Sequence, residues 1–148
     1  MLKKHWISFA LVVLVILFIW DNSLQNDISS DGLSLTITQW LSPILYKLGI
    51  TGDMWSLNRI VRKLAHVFEF AVLGGCLYVA LHQFNREYGG LKVIAIGLVI
   101  AILDECLQLT SIGRHASIRD VAIDTAGVII GVAVVQVILS IYRRIRHG

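Results

Sequence analysis

The sequence has little charge, two cysteines and a single proline. Charged residues make up 16% of its 148 residues and hydrophobic residues 56%, whereas a soluble globular domain carries about 25% charged residues. Too few polar residues remain to cover a core in water, which excludes an ordinary soluble domain. The two cysteines, Cys76 and Cys106, are too few for a disulfide scaffold. The absence of low-complexity tracts excludes a disordered chain.

Basic residues outnumber acidic residues by 13 to 10, which gives a net charge of +3. Such an excess can indicate nucleic-acid binding, but here the basic residues are not gathered on one solvated face. They flank apolar runs, as they do in membrane proteins. The sequence therefore predicts an integral membrane protein that binds no nucleic acid.

Four apolar runs are candidates to cross a hydrocarbon core of roughly 30 Å, which takes about 20 helical residues. They lie at about 6–20, 64–81, 91–109 and 121–142. The first run also fits a signal peptide, but no small-residue cleavage site follows it, so we interpret it as a retained span. No internal repeat or linker divides the chain. We therefore predict an all-α fold in which residues 1–148 form one membrane domain of four transmembrane helices.

The distribution of basic residues predicts the orientation. Four spans place both termini on one side of the membrane, and unpaired basic charge marks the cytoplasmic side. The basic residues beside the termini have no acidic neighbours in sequence, whereas most basic residues on the opposite side are interleaved with acidic ones. The former are Lys3, Lys4, Arg143, Arg144 and Arg146. We therefore expect both termini to be cytoplasmic.

The predicted outer loop, residues 21–58, contains an apolar stripe at helical spacing. The stripe consists of Ile37, Trp40, Leu41, Ile44, Leu45 and Leu48. It predicts an amphipathic helix that either lies in the outer interface or packs on the bundle. Alternatively, Pro43 starts a new helix with Ser42 as its N-cap.

Polar and charged residues are concentrated near three span ends. Ionisable residues cost about 2.5–3.5 kcal/mol each at the bilayer centre, so a chain that keeps several is expected to gather them. In antiparallel threading, the start of the second span, the end of the third and the start of the fourth lie on one side of the membrane. These ends carry Arg62, Lys63, His66 and Glu69, then Asp104, Glu105 and Gln108, then Asp120 and Asp124. The sequence thus predicts a polar cup that opens outward.

Small residues follow the acidic stripe of the fourth span. Asp124, Gly127 and Gly131 are spaced by three and four residues, so they share one helix face. Such a small-xxx-small ridge allows another helix to approach closely. Gly74 and Gly75 provide a similar surface for close packing on the second span. We therefore predict close helix packing next to the polar cup.

The residue types in the cup indicate acid–base chemistry and anion binding. His66 titrates near neutrality, and the acid–base candidates are His66, Glu69, Asp104 and Glu105. The anion-binding candidates are Arg62, Lys63 and Arg114, which follows Gly113 in a turn. Gln108, Asp120 and Asp124 are predicted to support the cup, although Ser117 and Asp120 also resemble a capping box in which Asp120 is only a cap. A metal held by His66, Glu69 and Asp104 is an alternative but is not predicted, because no metal-specific spacing is present.

These residues resemble the motifs of the VanZ-like family. Residues 62–70, Arg-Lys-Leu-Ala-His-Val-Phe-Glu-Phe, are similar to the family's basic-x-x-His-x-x-Glu-aromatic segment. Asp104-Glu105-Cys106-Leu107-Gln108 resembles its Asp-Glu-x-x-Gln segment, and Gly113-Arg114 its Gly-Arg turn. Residues 119–127 resemble its closing segment, and Asn22-Ser23 after the first span resembles its amino-terminal third. Phe70 stands where the family often has Tyr, and Asp124 where it often has Asn.

The resemblance implies a small membrane protein of the bacterial plasma membrane, from a family whose namesake is linked to teicoplanin resistance. We hypothesise that the protein acts at the outer leaflet on an anionic, lipid-linked envelope component. One alternative is a non-enzymatic scaffold in which the charges only neutralise one another. Another is an ion- or proton-coupled carrier. The sequence leaves open the reaction, the cofactor, any protein partner and the oligomeric state.

Overall fold

The computed structural model describes residues 2–24, 27–84, 89–111 and 116–147. Within these ranges the chain forms five α-helices and no strand. They are α1 (Leu2–Leu24), α2 (Asp27–Lys47), α3 (Met54–Phe84), α4 (Gly90–Gln108) and α5 (Ile118–His147). The predicted all-α fold class is confirmed.

Contacts between side chains define the directions of α1, α3 and α5. The Ser8 hydroxyl near the start of α1 donates to Gln83 at the end of α3, so these two helices are antiparallel. Lys63 and His82 of α3 approach Asp120 and Arg143 of α5, respectively. The order of these pairs shows that α3 and α5 are parallel.

Helix α4 runs antiparallel to α5. Gly90 at its start faces Gln136, and Gly97 further along it faces Val128. The carboxyl ends of α1 and α4 therefore lie at the same end of the bundle as the amino ends of α3 and α5. We call this the polar end.

The core lies where four helices meet. Ile19 of α1, Phe70 and Leu73 of α3, Val93 of α4 and Val128 of α5 are all fully buried. Their burial removes apolar surface from both water and lipid. Helix α3 is central, because it contacts each of the other four helices.

Helices α3 and α5 approach closely through small residues, as predicted. A Cβ atom on Gly127 would lie 2.6 Å from the carbonyl oxygen of Val67. A Cβ atom on Gly131 would overlap the backbone of Ala71, and one on Gly74 would overlap the backbone of Val128. The glycines are required here because the backbones pack directly against each other.

Among the described residues, three helices are long and apolar enough to cross a membrane. They contain the segments Trp6–Leu24, Met54–Gln83 and Ile118–Arg146, which include the first, second and fourth predicted spans. The third predicted span forms α4, whose 19 residues include Lys92, Asp104 and Glu105. Its uninterrupted apolar stretch, 93–103, extends only about 16 Å, so α4 is not among these three.

Helix α2 is longer than the amphipathic segment predicted within the outer loop. It includes Pro43, so the alternative that Pro43 starts a new helix is wrong. Proline has no N–H to donate to the carbonyl of Gln39, and the Ser42 hydroxyl donates to that carbonyl instead, at 2.9 Å. The helix therefore continues through the proline.

Helix α2 packs on α3 while keeping much of its apolar stripe exposed. Leu45 is buried with Leu57 and Val61, and the Thr38 hydroxyl donates to Oδ1 of Asn58 at 3.1 Å. Trp40 is 81% exposed, and Ile37, Leu41, Ile44 and Leu48 are also exposed. Helix α2 thus packs on the bundle with one face and exposes an apolar face on its outer side.

Helix α3 begins ten residues before the predicted second span. Asp53 caps it, because the backbone N–H of Ser56 donates to Asp53 Oδ1 at 3.2 Å. The hydroxyl and the backbone N–H of Ser56 hold the pKa of Asp53 below its ordinary value of 3.8. The first turns of α3 contain too many polar residues to resemble a span, yet Leu57 and Asn58 are buried there.

Candidate functional site

A polar cavity of about 140 Å³ opens at the polar end of the bundle. Helices α3, α4 and α5 all line it, which is the convergence expected from antiparallel threading. The lining residues are Arg59, Arg62, Lys63, His66, Glu105, Gln108, Asp120, Ile123 and Asp124. Seven of the ten candidate site residues are among them. Glu69 and Asp104 contact this group from behind it.

Asp104 is fully buried and held by two neutral donors. Its Oδ2 accepts hydrogen bonds from the Ser23 hydroxyl at 2.8 Å and from Gln108 Nε2 at 3.0 Å. Among the described residues, no group donates to its other oxygen, Oδ1, which is also buried. One oxygen of this carboxylate is therefore held by two donors, whereas the other has no donor among the described residues.

Glu69 lies beside His66 on the same helix. Its Oε2 is 3.8 Å from His66 Nδ1, and its Oε1 accepts a hydrogen bond from Asn22 Nδ2 at 2.9 Å. The amide of Asn22 thus holds the carboxylate next to the imidazole. A His with a neighbouring, oriented carboxylate is suited to proton transfer.

Sequence reasoning missed the part that α1 has in this site. Asn22 and Ser23 entered only through the family resemblance, yet they contact Glu69 and Asp104, respectively. Both are neutral, so no charge pattern marks them. The signal that remains is their position: they follow Asp21 directly and are the first neutral polar residues after the apolar run 6–20.

Glu105 connects α4 to the start of α5. It is 3% exposed, and its Oε2 accepts the backbone N–H of Ser117 at 2.7 Å. Ser117 in turn caps α5, because its Oγ accepts the N–H of Arg119 at 3.2 Å. In a capping box the side chain three residues into the helix would bond the Ser117 N–H. Here Glu105 of α4 does so, and Asp120 does not.

Asp120 instead forms an ion pair with Lys63 at the rim of the cavity. Both side chains are substantially exposed to solvent. Lys63 also lines the cavity together with Arg62 and with Arg59, a residue that was not predicted. The rim therefore carries three basic side chains from α3.

Asp124 is only 2% exposed, and it lines the cavity from α5. Within the described part of the chain, its side chain forms no hydrogen bond and no ion pair. One oxygen of Asp124, one oxygen of Asp104 and one ring nitrogen of His66 lie within 4.8 Å of one another. Glu69, which was considered as a metal ligand in the sequence, is not a member of this group.

Arg114, together with Gly113, lies outside the described residues. Arg119 is described and exposed, and it does not line the cavity.

Two apolar grooves lie on the outer side of the bundle. One, of about 440 Å³, lies between α1, α3 and α5 and includes Leu11, Val72 and Val134. The other, of about 230 Å³, lies between α1 and α3 and includes Val72 and Glu69. Because Val72 lines both and Glu69 adjoins His66, apolar surface leads from the middle of the bundle to the polar site.

The fold and the site define a small helical membrane protein with a polar cavity at one end of its bundle. The model of the VanZ/LLP1 family matches residues 6–139. The chain belongs to this family, which confirms the resemblance seen in its motifs. No curated protein and no solved structure matches the chain significantly.

Proposed function

We propose that this protein binds an anionic, lipid-linked component of the bacterial cell envelope at the outer leaflet and acts on it in the polar cavity. The observation that carries the proposal is the basic rim, formed by Arg59, Arg62 and Lys63, above His66 and the buried carboxylates. Arginine binds phosphate through two parallel N–H groups, and lysine adds a point charge. A phosphorylated headgroup fits these donors.

The pairing of charges favours ligand binding over a purely structural network. In the scaffold alternative, the basic residues exist to neutralise the buried acids. Yet Asp104 and Glu69 take the hydrogen bonds described above from Ser23, Gln108 and Asn22, which are all neutral. Lys63 pairs with the exposed Asp120 and not with a buried acid. Glu69, Asp104 and Lys63 therefore do not form the pairs that the scaffold alternative requires of them.

The apolar grooves support a ligand that has a hydrocarbon chain. They present almost only apolar side chains along α1, α3 and α5. A hydrocarbon chain lying in these grooves would remain in an apolar environment. Its headgroup would lie near His66, because the second groove ends at Glu69, which is next to His66. Because the chain then passes from one apolar environment to another, the groove adds packing and orientation to headgroup binding, and the hydrophobic effect adds little.

His66 and Glu105 line the cavity, while Glu69 and Asp104 lie beside them, with Glu69 3.8 Å from His66 and Asp104 within 4.8 Å of it. The four side chains together provide acid–base groups. His66 lines the cavity and Glu69 is fixed by Asn22, so the imidazole can exchange a proton with a bound headgroup. Glu105 lines the same cavity from α4. We propose these four side chains as the reacting groups.

The proposed membrane topology has four spans and cytoplasmic termini, with α2 in the outer interface. Asp104 and Glu105 interrupt the apolar run of α4 but are buried in the bundle. Apart from Lys92 near its start, its outward residues are apolar; they include Leu91, Ile96, Val99, Ile102, Leu103 and Leu109. A lipid-facing surface of about 28 Å results. The exposed Trp40 face of α2 suits the headgroup region.

Reporter fusions test this topology. Alkaline phosphatase, which is active only outside the cytoplasm, would be fused after residue 50 and after residue 148. Four spans predict activity for the first fusion only. Activity for both would show that α4 does not cross, because three spans place the carboxyl terminus outside.

Binding of farnesyl phosphate to the purified protein in detergent tests the function. We expect wild type to bind this probe more tightly than inorganic phosphate or farnesol, since each lacks one half of the ligand. Arg62→Ala should weaken binding about 10- to 100-fold, the usual range for a lost charge-assisted hydrogen bond. Asp21→Asn, an exposed change on α1, is the control. Equal binding by Arg62→Ala and wild type would contradict the proposal.

A cellular assay addresses antibiotic resistance. If the component is part of the pathway that glycopeptides target, expression should raise the teicoplanin concentration needed to inhibit growth. His66→Ala, Glu69→Ala and Glu105→Ala should each remove this increase at unchanged membrane levels. An increase that persists in all three variants would contradict the assignment of reacting groups.

A further inference from the structure

We infer that the floor of the cavity binds a divalent transition-metal ion through His66, Asp104 and Asp124. The three side chains come from α3, α4 and α5, respectively. Their potential ligand atoms lie within 4.8 Å of one another, so one ion can contact all three. Binding of the ion alone is independent of headgroup binding, whereas its use on an anionic headgroup rests on the function proposed above. With the ion bound, His66 and Asp104 are ligands, and Glu69 and Glu105 are the remaining acid–base groups.

The buried carboxylates lack the partners that their burial requires. Asp104 and Asp124 are 0% and 2% exposed. Oδ1 of Asp104 accepts no hydrogen bond from the described residues, and the Asp124 side chain has neither a hydrogen bond nor an ion pair with any of them. Two such groups side by side repel each other and cost several kcal/mol to bury. A bound cation would satisfy both.

The surroundings of Asp104 are those of a positioned ligand. Ser23 and Gln108 both donate to Oδ2, which fixes the carboxylate plane, while Oδ1 is buried without a donor among the described residues. Hydrogen bonds of this kind orient the carboxylates that bind metals. The arrangement also explains why Ser23, at the end of α1, is fully buried.

The ligand types indicate the class of metal. One imidazole nitrogen and two carboxylate oxygens suit Zn²⁺ or Mn²⁺, since imidazole favours transition metals and carboxylate favours harder ions. Three protein ligands leave at least one coordination position for water or a phosphate oxygen. The basic rim would hold the rest of such a phosphate. Asp124 stands where the family often has Asn, which lacks a carboxylate. The metal site is therefore inferred for this chain and not for the family as a whole.

Metal content of the purified protein tests the inference. The protein in detergent would be stripped with a chelator, dialysed against Zn²⁺ or Mn²⁺ and measured by plasma mass spectrometry. We expect one ion per wild-type chain and at least a tenfold loss of affinity in Asp124→Asn, Asp104→Asn and His66→Gln. Asp21→Asn, an exposed carboxylate change on α1, should bind like wild type.

A second measurement covers variants that fail to fold. Added metal should raise the Tm of wild type and of Asp21→Asn, because a ligand that binds only the folded state stabilises it. It should leave the Tm of any folded variant at the three ligand positions unchanged. Less than 0.1 ion per wild-type chain, or a metal affinity equal to that of wild type in both Asp104→Asn and Asp124→Asn, would overturn the inference.

Farnesyl phosphate distinguishes this inference from the proposed function. Binding of the probe by a wild-type protein that takes up no metal would overturn the metal site and leave the function standing. Uptake of one ion by a protein that does not bind the probe would support the metal site and contradict the function. Tighter probe binding by the metal-loaded protein than by the stripped protein would support both.

Discussion

The Ser23 hydroxyl, one residue from the end of α1, donates a 2.8 Å hydrogen bond to the buried carboxylate of Asp104 near the end of α4. Ser111, just after α4, returns the contact by donating to the backbone carbonyl of Leu24 at 3.1 Å. These bonds tie the first span to the polar cavity. The amino-terminal helix is therefore part of the site.

Ser23→Ala is expected to destabilise the protein by about 1–3 kcal/mol, the cost of leaving a buried acceptor short of a donor. Thermal or denaturant unfolding in detergent would measure the loss. Ser8→Ala is the matched control, because its hydroxyl donates to Gln83 at an exposed position. Equal losses for the two variants would show that the Asp104 contact is no more important than a surface bond.

Gly131→Ala is expected to separate α3 from α5. A Cβ atom there overlaps the backbone of Ala71, and backbone atoms cannot rotate away as a side chain can. We expect a lower Tm and a lower yield of folded protein. Gly32→Ala should not lower the Tm, because no atom lies within 4 Å of its added Cβ and alanine favours a helix. A wild-type Tm for Gly131→Ala would contradict the close packing.

The close packing of α3 and α5 was predictable, because glycines at spacings of three and four have few other uses in an apolar helix. The polar convergence was predictable as well, since alternating spans must bring Glu69, Asp104 and Asp124 to one end. The lengths of α2 and α3 were not. A long apolar run indicates a helix that faces lipid. Leu57 and Asn58 lie in a polar part of the sequence and are buried by α2 instead, so no apolar run marks this part of α3.

Individual partners were harder to predict than the position of the site. Asp120 fits a capping box by spacing, but in the folded chain Lys63 lies close enough to attract it, and Glu105 takes the Ser117 N–H. This competition depends on distances between helices that the sequence does not contain. Likewise, Asn22 is recognised as part of the site only once Glu69 is placed beside it.

Lys63→Gln is expected to change stability by no more than about 1 kcal/mol, because its ion pair with Asp120 is exposed. Its effect on farnesyl phosphate binding should be larger, since a rim cation is lost. A double-mutant cycle with Asp120→Asn would isolate the energy of the pair. A loss of stability well above 1 kcal/mol without weaker binding would mean that Lys63 is structural.

The amino end of α3 is expected to lose stability in acid. The pKa of Asp53 is held below its ordinary value of 3.8, first by the Ser56 hydroxyl and then by the Ser56 N–H. The stabilisation is therefore complete above pH of about 4 and is lost as the pH falls through the lowered pKa. Hydrogen exchange of the first turn of α3 should accelerate in that range for wild type, and much less for Asp53→Asn. Identical pH profiles would contradict the cap.

The most direct test of the central claim is the identity of the lipids that remain bound to the purified protein. Wild type and the variant Arg62→Ala/Lys63→Ala would be purified in mild detergent, and their extracts compared by mass spectrometry. We predict that a phosphorylated lipid or lipid-linked precursor is enriched with wild type and at least tenfold depleted in the variant, while neutral and zwitterionic lipids are unchanged. The same anionic lipids in equal amounts in both extracts would contradict the claim that the basic rim binds the headgroup.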